Sequence, residues 1–458
     1  MLERDCWESL VEWKRQGVRK ALLIKGARQI GKTTLVREFG KRNYDSFVEI
    51  NFLADPQASL IFDDALDADT VISRLTAYAR KPLHPGKTLV LLDEVQECSQ
   101  ARTAIKFLVS DGRFDYIETG SLLGVKTGDV TSYPVGFEEH LSMYPLTFGE
   151  FCRANGVQQE TFDYLKNCFE RVSPVGEAIH RTMLQLLYAY FVVGGMPEVV
   201  QRYVNTHDVA QVVDLQRDLL ALYRLDIAKY AEANDKAKIR AIFDAVPSQL
   251  DDKNRRFVLA DLGKTARQER YRSSFLWLAD AGVVLPCYNV SEPAVPLEAN
   301  SKHSLMKLFM SDVGLLAAAS MEGIQFDLLQ GNIGVNMGSI MENAIAQELR
   351  AHGFPLYYFN SRRTGEVDFV VQSGKKVLPV EVKSGNDWGS HKALENVLST
   401  DEWGIDKAYV FCKGDMACKG SVIYAPLYMA MFLEPERLPK SLRYEVDLSA
   451  LPGSVCGS

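Results

Sequence analysis

The segment GARQIGKT at residues 26–33 restricts the fold of this chain more than any other part of the sequence. It fits the pattern G-x-x-x-x-G-K-[ST], with the apolar run ALLI (residues 21–24) before it and the helix-forming TTLVREFGK after it. A strand, this loop and a helix form a phosphate cradle, because the glycines let backbone N–H groups turn inward and the helix N-terminus adds partial positive charge. The sequence therefore predicts an ATP-binding P-loop made of Gly26, Ala27, Arg28, Gln29, Ile30, Gly31, Lys32, Thr33 and Thr34.

Four side chains in and near this loop match the needs of nucleotide hydrolysis. The Lys32 ammonium is expected to reach the β- and γ-phosphate oxygens, and the Thr33 hydroxyl is expected to bind Mg²⁺. About 60 residues downstream, the apolar run at 88–92 ends in Asp93 and Glu94. Asp93 is predicted to hold the water shell of Mg²⁺, and Glu94 to be the general base that polarises the attacking water. These residues predict an ATPase with ATP and Mg²⁺ as ligands.

A third apolar strand, at residues 114–118, leads into Thr119 and Ser121. Either hydroxyl can hydrogen-bond the γ-phosphate or the attacking water, and we prefer Ser121 as the catalytic one. The alternative for both residues is a turn former at the strand end. Hydrolysis also needs an arginine to neutralise developing charge, either from this chain or from a second copy in a homo-oligomer. The candidates, which the sequence does not rank, are Arg28, Arg37, Arg102 and Arg113.

Composition places these motifs in a large globular protein. The chain has 458 residues, 47% hydrophobic and 24% charged, with a net charge of −7. These values exclude a disordered tail protein and give no global basic field for nucleic acid. The eight cysteines show no zinc-ligand spacing. No run reaches the ~18 apolar residues of a membrane span, and the N-terminus has the pattern of an amphipathic helix instead of a signal peptide. We therefore expect a cytoplasmic, multidomain protein with no membrane partner.

Three further segments follow the P-loop region. Residues 160–232 have leucine, tyrosine and valine at helical spacing, with a break at residues 194–197 (GGMP). Residues 235–300 contain three helical stretches and then the strand-like run VVLPCYNV, which is the order of a winged helix. Residues 338–430 begin with a helical pattern and continue with five strand-like runs.

A second group of charged residues surrounds a predicted hairpin in the last segment. The runs EVDFVV and VLPVEVK flank Ser373-Gly374, and a turn centred there pairs residues whose numbers sum to 747–748. Asp368 would then lie one step from Glu381, and side chains two apart on a strand share a face. Acids and a lysine that converge in this way can bind Mg²⁺ and activate water for phosphodiester cleavage, whereas the alternative is a solvated, salt-bridged hairpin face. The candidate set is Glu342, Asp368, Glu381 and Lys383.

Taken together, these and several other segments resemble bacterial and archaeal ATPases that join an AAA-type domain to a C-terminal domain of unknown function with a nuclease-like fold. The resemblance covers almost the whole chain. Its markers are GARQIGKTTL (26–35), LLDEVQ (91–96), TGSLLG (119–124), YPLTFGEF (144–151), GGMPEVV (194–200), KLFMSDVGLLAA (307–318), ENAIAQELR (342–350), EVDFVV (366–371) and PVEVKSG (379–385).

The resemblance implies an α/β fold class made of four consecutive units. These are an AAA-type P-loop ATPase core with a parallel sheet (1–152), a helical lid or linker (153–232), a winged-helix-like unit (233–300) and a PD-(D/E)XK nuclease-like, restriction-endonuclease-like domain (301–458). In that nuclease superfamily a helix glutamate, a strand aspartate and a Glu-x-Lys pair carry the metal site. Residue by residue, they correspond to Glu342, Asp368, Glu381 and Lys383. Val367 stands where that motif has proline.

Residues 250–275 add a local basic segment, with seven basic and four acidic side chains and hence a net charge of +3. In a winged helix this charge favours contact with DNA phosphates. The alternative is a solvated helix face or a docking surface for an unknown protein partner. Three functions remain open from the sequence: an ATPase whose nucleotide state controls the C-terminal half, an ATP-gated DNA nuclease, and a non-catalytic regulatory or scaffolding switch.

Overall fold

The computed structural model describes residues 2–16, 20–64, 66–121, 134–252, 256–263, 267–321, 323–329, 337–385, 387–436 and 443–446. Its first unit alternates strands and helices, which are α1 (Cys6–Arg15), β1 (Ala21–Lys25), α2 (Lys32–Asn43), β2 (Ser46–Asn51), α3 (Ala68–Ala79), β3 (Thr88–Asp93), α4 (Ser99–Asp111), β4 (Asp115–Gly120) and β5 (Glu138–Ser142). Short 3₁₀ turns at Pro56–Phe62 and Val95–Glu97 complete it.

The strands of this unit form one parallel sheet in the order β2-β3-β4-β1-β5. The predicted apolar runs become its central strands, and β3 is buried along its whole length, as parallel strands between helix layers must be. Ile24 lies beside Thr119, and Asn51 lies beside Asp93. The carboxyl ends of β1 to β4 therefore meet at one edge of the sheet, where the loop at residues 26–31 begins α2. The predicted P-loop fold with a parallel sheet is confirmed.

The next unit is helical, as the sequence predicts. It contains α5 (Phe148–Ala154), α6 (Gln159–Arg171), α7 (Glu177–Val193), α8 (Pro197–Thr206) and α9 (Val209–Tyr230). The break at residues 194–197 is real, because α7 ends at Val193 and α8 starts at Pro197. Proline suits the first turn of a helix, since it has no N–H that would need a partner there.

The third unit has helices followed by a strand hairpin. It contains α10 (Lys236–Asp251), α11 (Gln268–Asp280), β6 (Val284–Val290) and β7 (Ser301–Met310), with 3₁₀ turns at Leu259–Leu262 and Leu297–Asn300. β6 and β7 pair antiparallel, and β7 continues to Met310. The predicted boundary at residue 300 therefore falls inside this hairpin, between its two strands. The winged-helix assignment stays a prediction.

The C-terminal unit contains two sheets. Its elements are α12 (Val313–Ser320), α13 (Gln325–Leu329), α14 (Gly338–Ala351), β8 (Tyr357–Ser361), β9 (Gly365–Val367), β10 (Phe369–Ser373), β11 (Lys376–Val382), α15 (Lys392–Leu398), β12 (Ala408–Cys412), β13 (Ala417–Lys419) and β14 (Val422–Pro426). One sheet has the order β10-β11-β12-β14-β13, and the other has the order β7-β6-β8-β9. Because β6 pairs with β8 in parallel, the hairpin of the third unit is part of a sheet of the fourth.

The predicted β10–β11 hairpin is present with a different register. Ser373 pairs with Lys376 and Phe369 pairs with Val380, so paired residue numbers sum to 749 instead of 747–748. The turn consists of Gly374 and Lys375, one position later than predicted. The predicted pairing is therefore wrong by one to two residues, because the sequence signal Ser-Gly marks a turn without fixing which two residues occupy it.

Four of the resemblance markers meet at one buried polar cluster between the units. Asp312 accepts hydrogen bonds from the N–H of Gly195 (2.6 Å) and of Leu315 (2.9 Å). Gln347 accepts one from the N–H of Val313 (2.9 Å), and its amide donates to the Tyr190 hydroxyl (2.8 Å). The Tyr190 hydroxyl in turn donates to the backbone oxygen of Leu146 (2.6 Å). These contacts join the segments at 144–151, 194–200, 307–318 and 342–350, and so the markers have a structural role.

None of the helices in the described part of the chain combines the length and apolar character that crossing a bilayer requires.

Candidate nucleotide-binding site

The loop between β1 and α2 has the backbone conformation of a phosphate cradle. Gly31, which caps α2, has a φ of 89°, and Gly26 has a φ of 148°. A Cβ on Gly26 would lie 2.2 Å from the backbone oxygen of Met143, so no larger residue fits there. Gln29 also has a positive φ, 65°, which is uncommon for a residue with a side chain. Both glycines of the motif are thus explained by local geometry.

The Lys32 side chain is buried and points into the loop. Its ammonium donates to the backbone oxygens of Gly26 (3.0 Å) and Ala27 (2.7 Å) and to the hydroxyl of Ser121 (3.0 Å). Burial lowers the pKa of Lys32 to about 8, and the nearby carboxylates of Glu94 and Asp93 partly offset this effect. The ammonium is therefore held where its positive charge lacks full solvation, which favours an anionic ligand.

Asp93, at the end of β3, is the centre of a hydrogen-bonded group. Its Oδ1 accepts from the Thr33 hydroxyl (2.9 Å) and from the Thr119 hydroxyl, and its Oδ2 accepts from the Asn51 amide (2.7 Å). Oxygen ligands of this kind suit Mg²⁺. Thr33 and Asp93 lie together at the mouth of the loop and fit the predicted metal role. Among the described residues, no group of three or more His, Cys, Asp or Glu side chains is arranged to hold a metal ion, and this site offers one acid and one hydroxyl.

Glu94 follows Asp93 with a left-handed backbone, at a φ of 53°. This conformation is costly for a residue with a side chain, by ~1 kcal/mol or more, and turns Glu94 out of the strand toward the cleft. Its Oε2 accepts a hydrogen bond from the Gln96 amide (2.5 Å). The carboxylate is thus oriented by a neutral partner, which leaves it able to accept a proton.

The two hydroxyl candidates have different positions. Ser121 accepts from Lys32 and lines the cleft, whereas Thr119 is fully buried and donates to Asp93. The preference for Ser121 as the residue next to a phosphate is therefore compatible with the geometry. The cleft has a volume of about 280 Å³ and is lined by Arg28, Gln29, Gly31, Lys32, Thr33, Thr34, Arg37, Asp93, Glu94 and Ser121.

Each of the four candidate arginines forms an ion pair with an acid of the same chain. The pairs are Arg28–Asp226 (2.5 Å), Arg37–Glu49 (2.6 Å), Arg102–Glu138 (3.0 Å) and Arg113–Asp69 (2.5 Å). Of these arginines, Arg28 and Arg37 line the cleft. Hydrolysis would have to release one of them from its partner or receive an arginine from another molecule.

The second candidate set, Glu342, Asp368, Glu381 and Lys383, also comes together in space; we call it the nuclease-like set. The Lys383 ammonium lies 3.2 Å from Glu381, and the backbone N–H of Val382 donates to Asp368 (2.8 Å). Burial, with the neighbouring Asp368 charge as the second cause, raises the pKa of Glu381 to about 8. Glu342 lies on α14, fully buried, and is linked to this group through Lys307, 3.8 Å away.

Sequence reasoning missed three members of these sites. Asn51 ends a strand at the same sheet edge as Asp93, so its position after an apolar alternation was a usable signal. Lys307 lies inside the buried run LMKLFM, where a lysine is unusual enough to indicate a specific partner. Asp226 lies almost 200 residues from Arg28, and no local pattern marks it.

Comparisons with known proteins agree with the first unit. Residues 18–152 match the family model described as an AAA domain. Residues 184–325 and 337–429 match two models that are each described as a domain of unknown function (DUF8612 and DUF4143). The fold and the loop therefore define an AAA-type P-loop NTPase domain. In this chain it is joined to C-terminal domains of unknown function.

Three of the solved structures that resemble this chain are similar to it at 15% identity or less. The Walker-type ATPase of Pyrococcus abyssi has 14% identity, with 70% of this chain and 96% of that chain covered at a TM-score of 0.39. The Orc1 protein of Aeropyrum pernix, solved in complex with DNA, has 15% identity over 69% of this chain and 91% of that one, at a TM-score of 0.24. A STAND protein with a tetratricopeptide repeat sensor from Pyrococcus horikoshii has 12% identity, with 76% of this chain and 48% of that chain covered at a TM-score of 0.27. No curated protein shows significant similarity to the chain.

Proposed function

We propose that this protein is a Mg²⁺-dependent ATPase whose nucleotide state controls its helical and C-terminal units. The observation that supports hydrolysis is the gathering of Lys32, Thr33, Asp93, Glu94 and Ser121 around one cleft of about 280 Å³. Thr33 and Asp93 would hold Mg²⁺, which neutralises phosphate charge when bound. Lys32 binds the β- and γ-phosphate oxygens, Ser121 orients the terminal phosphate or the water, and Glu94 takes a proton from that water.

Control of the other units rests on direct contacts between the P-loop and later segments. Arg28 pairs with Asp226 of α9, and the Tyr223 hydroxyl donates to the backbone oxygen of Arg28 (3.1 Å). After α11, Gly282 approaches the loop so closely that an added Cβ would lie 2.8 Å from the Ala27 nitrogen. A phosphate that draws Arg28 away from Asp226, or that shifts the loop at Ala27, would therefore change the contacts that support α9 and the α11–β6 turn.

Hydrogen exchange tests this coupling. Addition of ATP and Mg²⁺ is expected to change amide exchange in α9 and in the α11–β6 turn, because both contact the loop that binds the phosphates. Asp226→Asn, which removes the charged partner of Arg28, should reduce the change in α9 while leaving ATP binding in place. Asp244→Asn is the matched control, since it removes the same charge from a pair that joins Arg224 of α9 to α10 and does not involve the loop. Equal exchange in α9 with and without nucleotide would contradict the proposed coupling.

The lowered pKa of Lys32 predicts a pH dependence of ATP binding. The ammonium must be charged to bind phosphate, and its pKa without nucleotide is about 8. Binding above that pH must take up a proton, so affinity is expected to fall by about tenfold per pH unit above pH 8, whereas below pH 8 it should be nearly constant. Calorimetric titrations at a series of pH values, with circular dichroism to confirm folding, measure this. A constant affinity over two units above pH 8 would contradict the role of Lys32.

A second candidate function is DNA contact through the third unit. Arg256, which precedes the 3₁₀ turn at Leu259–Leu262, is exposed, as are Arg267, Arg270 and Arg272 in or just before α11. Lys253, Arg255 and Lys264 lie outside the described residues. Such a surface would bind phosphates with strong salt dependence. ATPase activity measured with single-stranded, duplex and branched DNA tests this candidate. Stimulation by one form supports it, and the absence of both stimulation and binding favours a docking surface for a protein partner.

A further inference from the structure

The carboxylate cluster of the nuclease-like unit contains a cation of its own. The Lys307 ammonium lies 2.7 Å from Glu366, 3.8 Å from Glu342 and 3.9 Å from Asp368. It also lies 5.1 Å from the centre of the Tyr358 ring, whose face favours a positive charge. Three acids, from α14, from β9 and from the single residue between β9 and β10, thus converge on one lysine of β7.

Burial fixes this ammonium in place. Lys307 is fully buried, as is Glu342, and Lys307 lies in β7, which pairs with β6 on one side of the sheet. A lysine is almost never buried completely unless it is paired, because removing its charge from water is costly. Lys307 cannot reach a nucleic-acid phosphate at the surface without leaving these acids. The buried ammonium therefore neutralises the acids of the cluster and does not contact a ligand at the surface.

A divalent ion bound by these acids would have to occupy the position of the Lys307 ammonium. Mg²⁺ binds oxygen ligands at about 2.0–2.1 Å in an octahedron and requires carboxylates that are free to turn toward it. Here Glu342, Glu366 and Asp368 share a monovalent cation at salt-bridge distances, and one oxygen of Asp368 accepts from the Val382 N–H. No group of three or more acidic, histidine or cysteine side chains in the described residues has an arrangement that could hold a metal. Glu381, the remaining acid of the set, pairs with Lys383 at 3.2 Å. The residues do not fit the metal site that the nuclease resemblance implies.

We infer that Lys307 is the resident cation of this cluster and takes the place that a divalent metal has in a cleaving nuclease. The buried cluster then holds the β6–β7 hairpin against the nuclease-like unit, because Lys307 belongs to the hairpin and its acidic partners belong to the helix and strands of that unit. This inference goes beyond the proposed ATPase function and does not depend on it. It predicts a C-terminal unit that holds the hairpin in place and does not cut DNA with metal.

The test measures the thermal midpoint of the full-length, nucleotide-free protein in EDTA and in Mg²⁺ or Mn²⁺. The wild type is expected to show no metal-dependent shift beyond that of Asp368→Asn. Lys307→Met should lower the midpoint in EDTA and regain about 3 °C or more with metal, because the acids then lack a cation. Lys376→Met, which removes an exposed lysine paired with Asp406, is the matched control and should show neither change.

Three results would overturn the inference. The first is a metal-dependent shift of the thermal midpoint in the wild type that Asp368→Asn abolishes. The second is a folded Lys307→Met variant whose thermal midpoint does not rise with metal. The third concerns metal binding and cleavage. If Lys307→Met does not fold, Mn²⁺ calorimetry and cleavage assays on wild type and Asp368→Asn decide the matter. Equal, negligible binding and no cutting by either protein support the inference, whereas binding or cutting that is lost in Asp368→Asn overturns it.

Discussion

Replacement of Lys32 by alanine is expected to reduce ATP turnover by about 100-fold or more, and to weaken ATP binding as well. The side chain supplies the buried ammonium of the loop, and removal of one such preorganised donor typically costs about 10²–10³ in rate. Glu94→Gln should separate the two steps, since it preserves the shape of the site and removes the base. That variant is expected to bind ATP normally and to lose turnover by about 10²–10⁴.

Phosphate release and equilibrium binding, measured on the same preparations, distinguish these outcomes. Lys41→Ala is the matched control, because Lys41 is an exposed lysine on the same helix as Lys32. It should hydrolyse ATP at the wild-type rate. Wild-type turnover by Lys32→Ala would show that the loop is not the hydrolytic site.

Gly195→Ala is expected to lower the free energy of unfolding by about 3 kcal/mol, because the packed backbone leaves no room for the added methyl group. An added Cβ would lie 2.2 Å from the Leu146 oxygen and 2.6 Å from the Leu146 nitrogen. These are backbone atoms, which cannot turn away as the end of a side chain can. The same residue donates its N–H to Asp312 and accepts the N–H of Leu146 (2.7 Å), so a shift would disturb the whole polar cluster.

Urea denaturation followed by circular dichroism measures this loss. Gly385→Ala is the control, since an added Cβ at Gly385 meets no atom within 4 Å and the residue is exposed. It should change stability by no more than about 0.5 kcal/mol. Equal stability of the two variants would contradict the packing described for Gly195.

The first unit was predictable because its signals are local. The P-loop glycines, Lys32 and Thr33 lie within eight residues, and each apolar run that precedes a site residue becomes a buried strand of the sheet. Parallel strands place their carboxyl ends at one edge, so the meeting of Asp93 with Thr33 followed from pattern alone. Asn51 belongs to that edge as well, but its amide has no recognised motif.

The contacts that join the units were not predictable from local patterns. Arg28 was a candidate for neutralising charge, yet in the structure it pairs with Asp226, which a different helix brings close. The hairpin was found from its turn signal, whereas its register depends on which two residues form the turn. Lys307 changes the interpretation of the candidate set, because its ammonium lies at salt-bridge distance from two of the predicted acids, Glu342 and Asp368, and no local pattern had placed a cation beside them.

The loop at residues 26–33 is expected to bind a nucleoside triphosphate with magnesium, and the proposed function depends on this binding. Isothermal titration of ATP with Mg²⁺ into the full-length protein tests it most directly. We expect one site per chain in the wild type and markedly weaker binding by Lys32→Ala. Absence of heat with both ATP and ADP in the wild type, or equal binding by Lys32→Ala, would contradict the account.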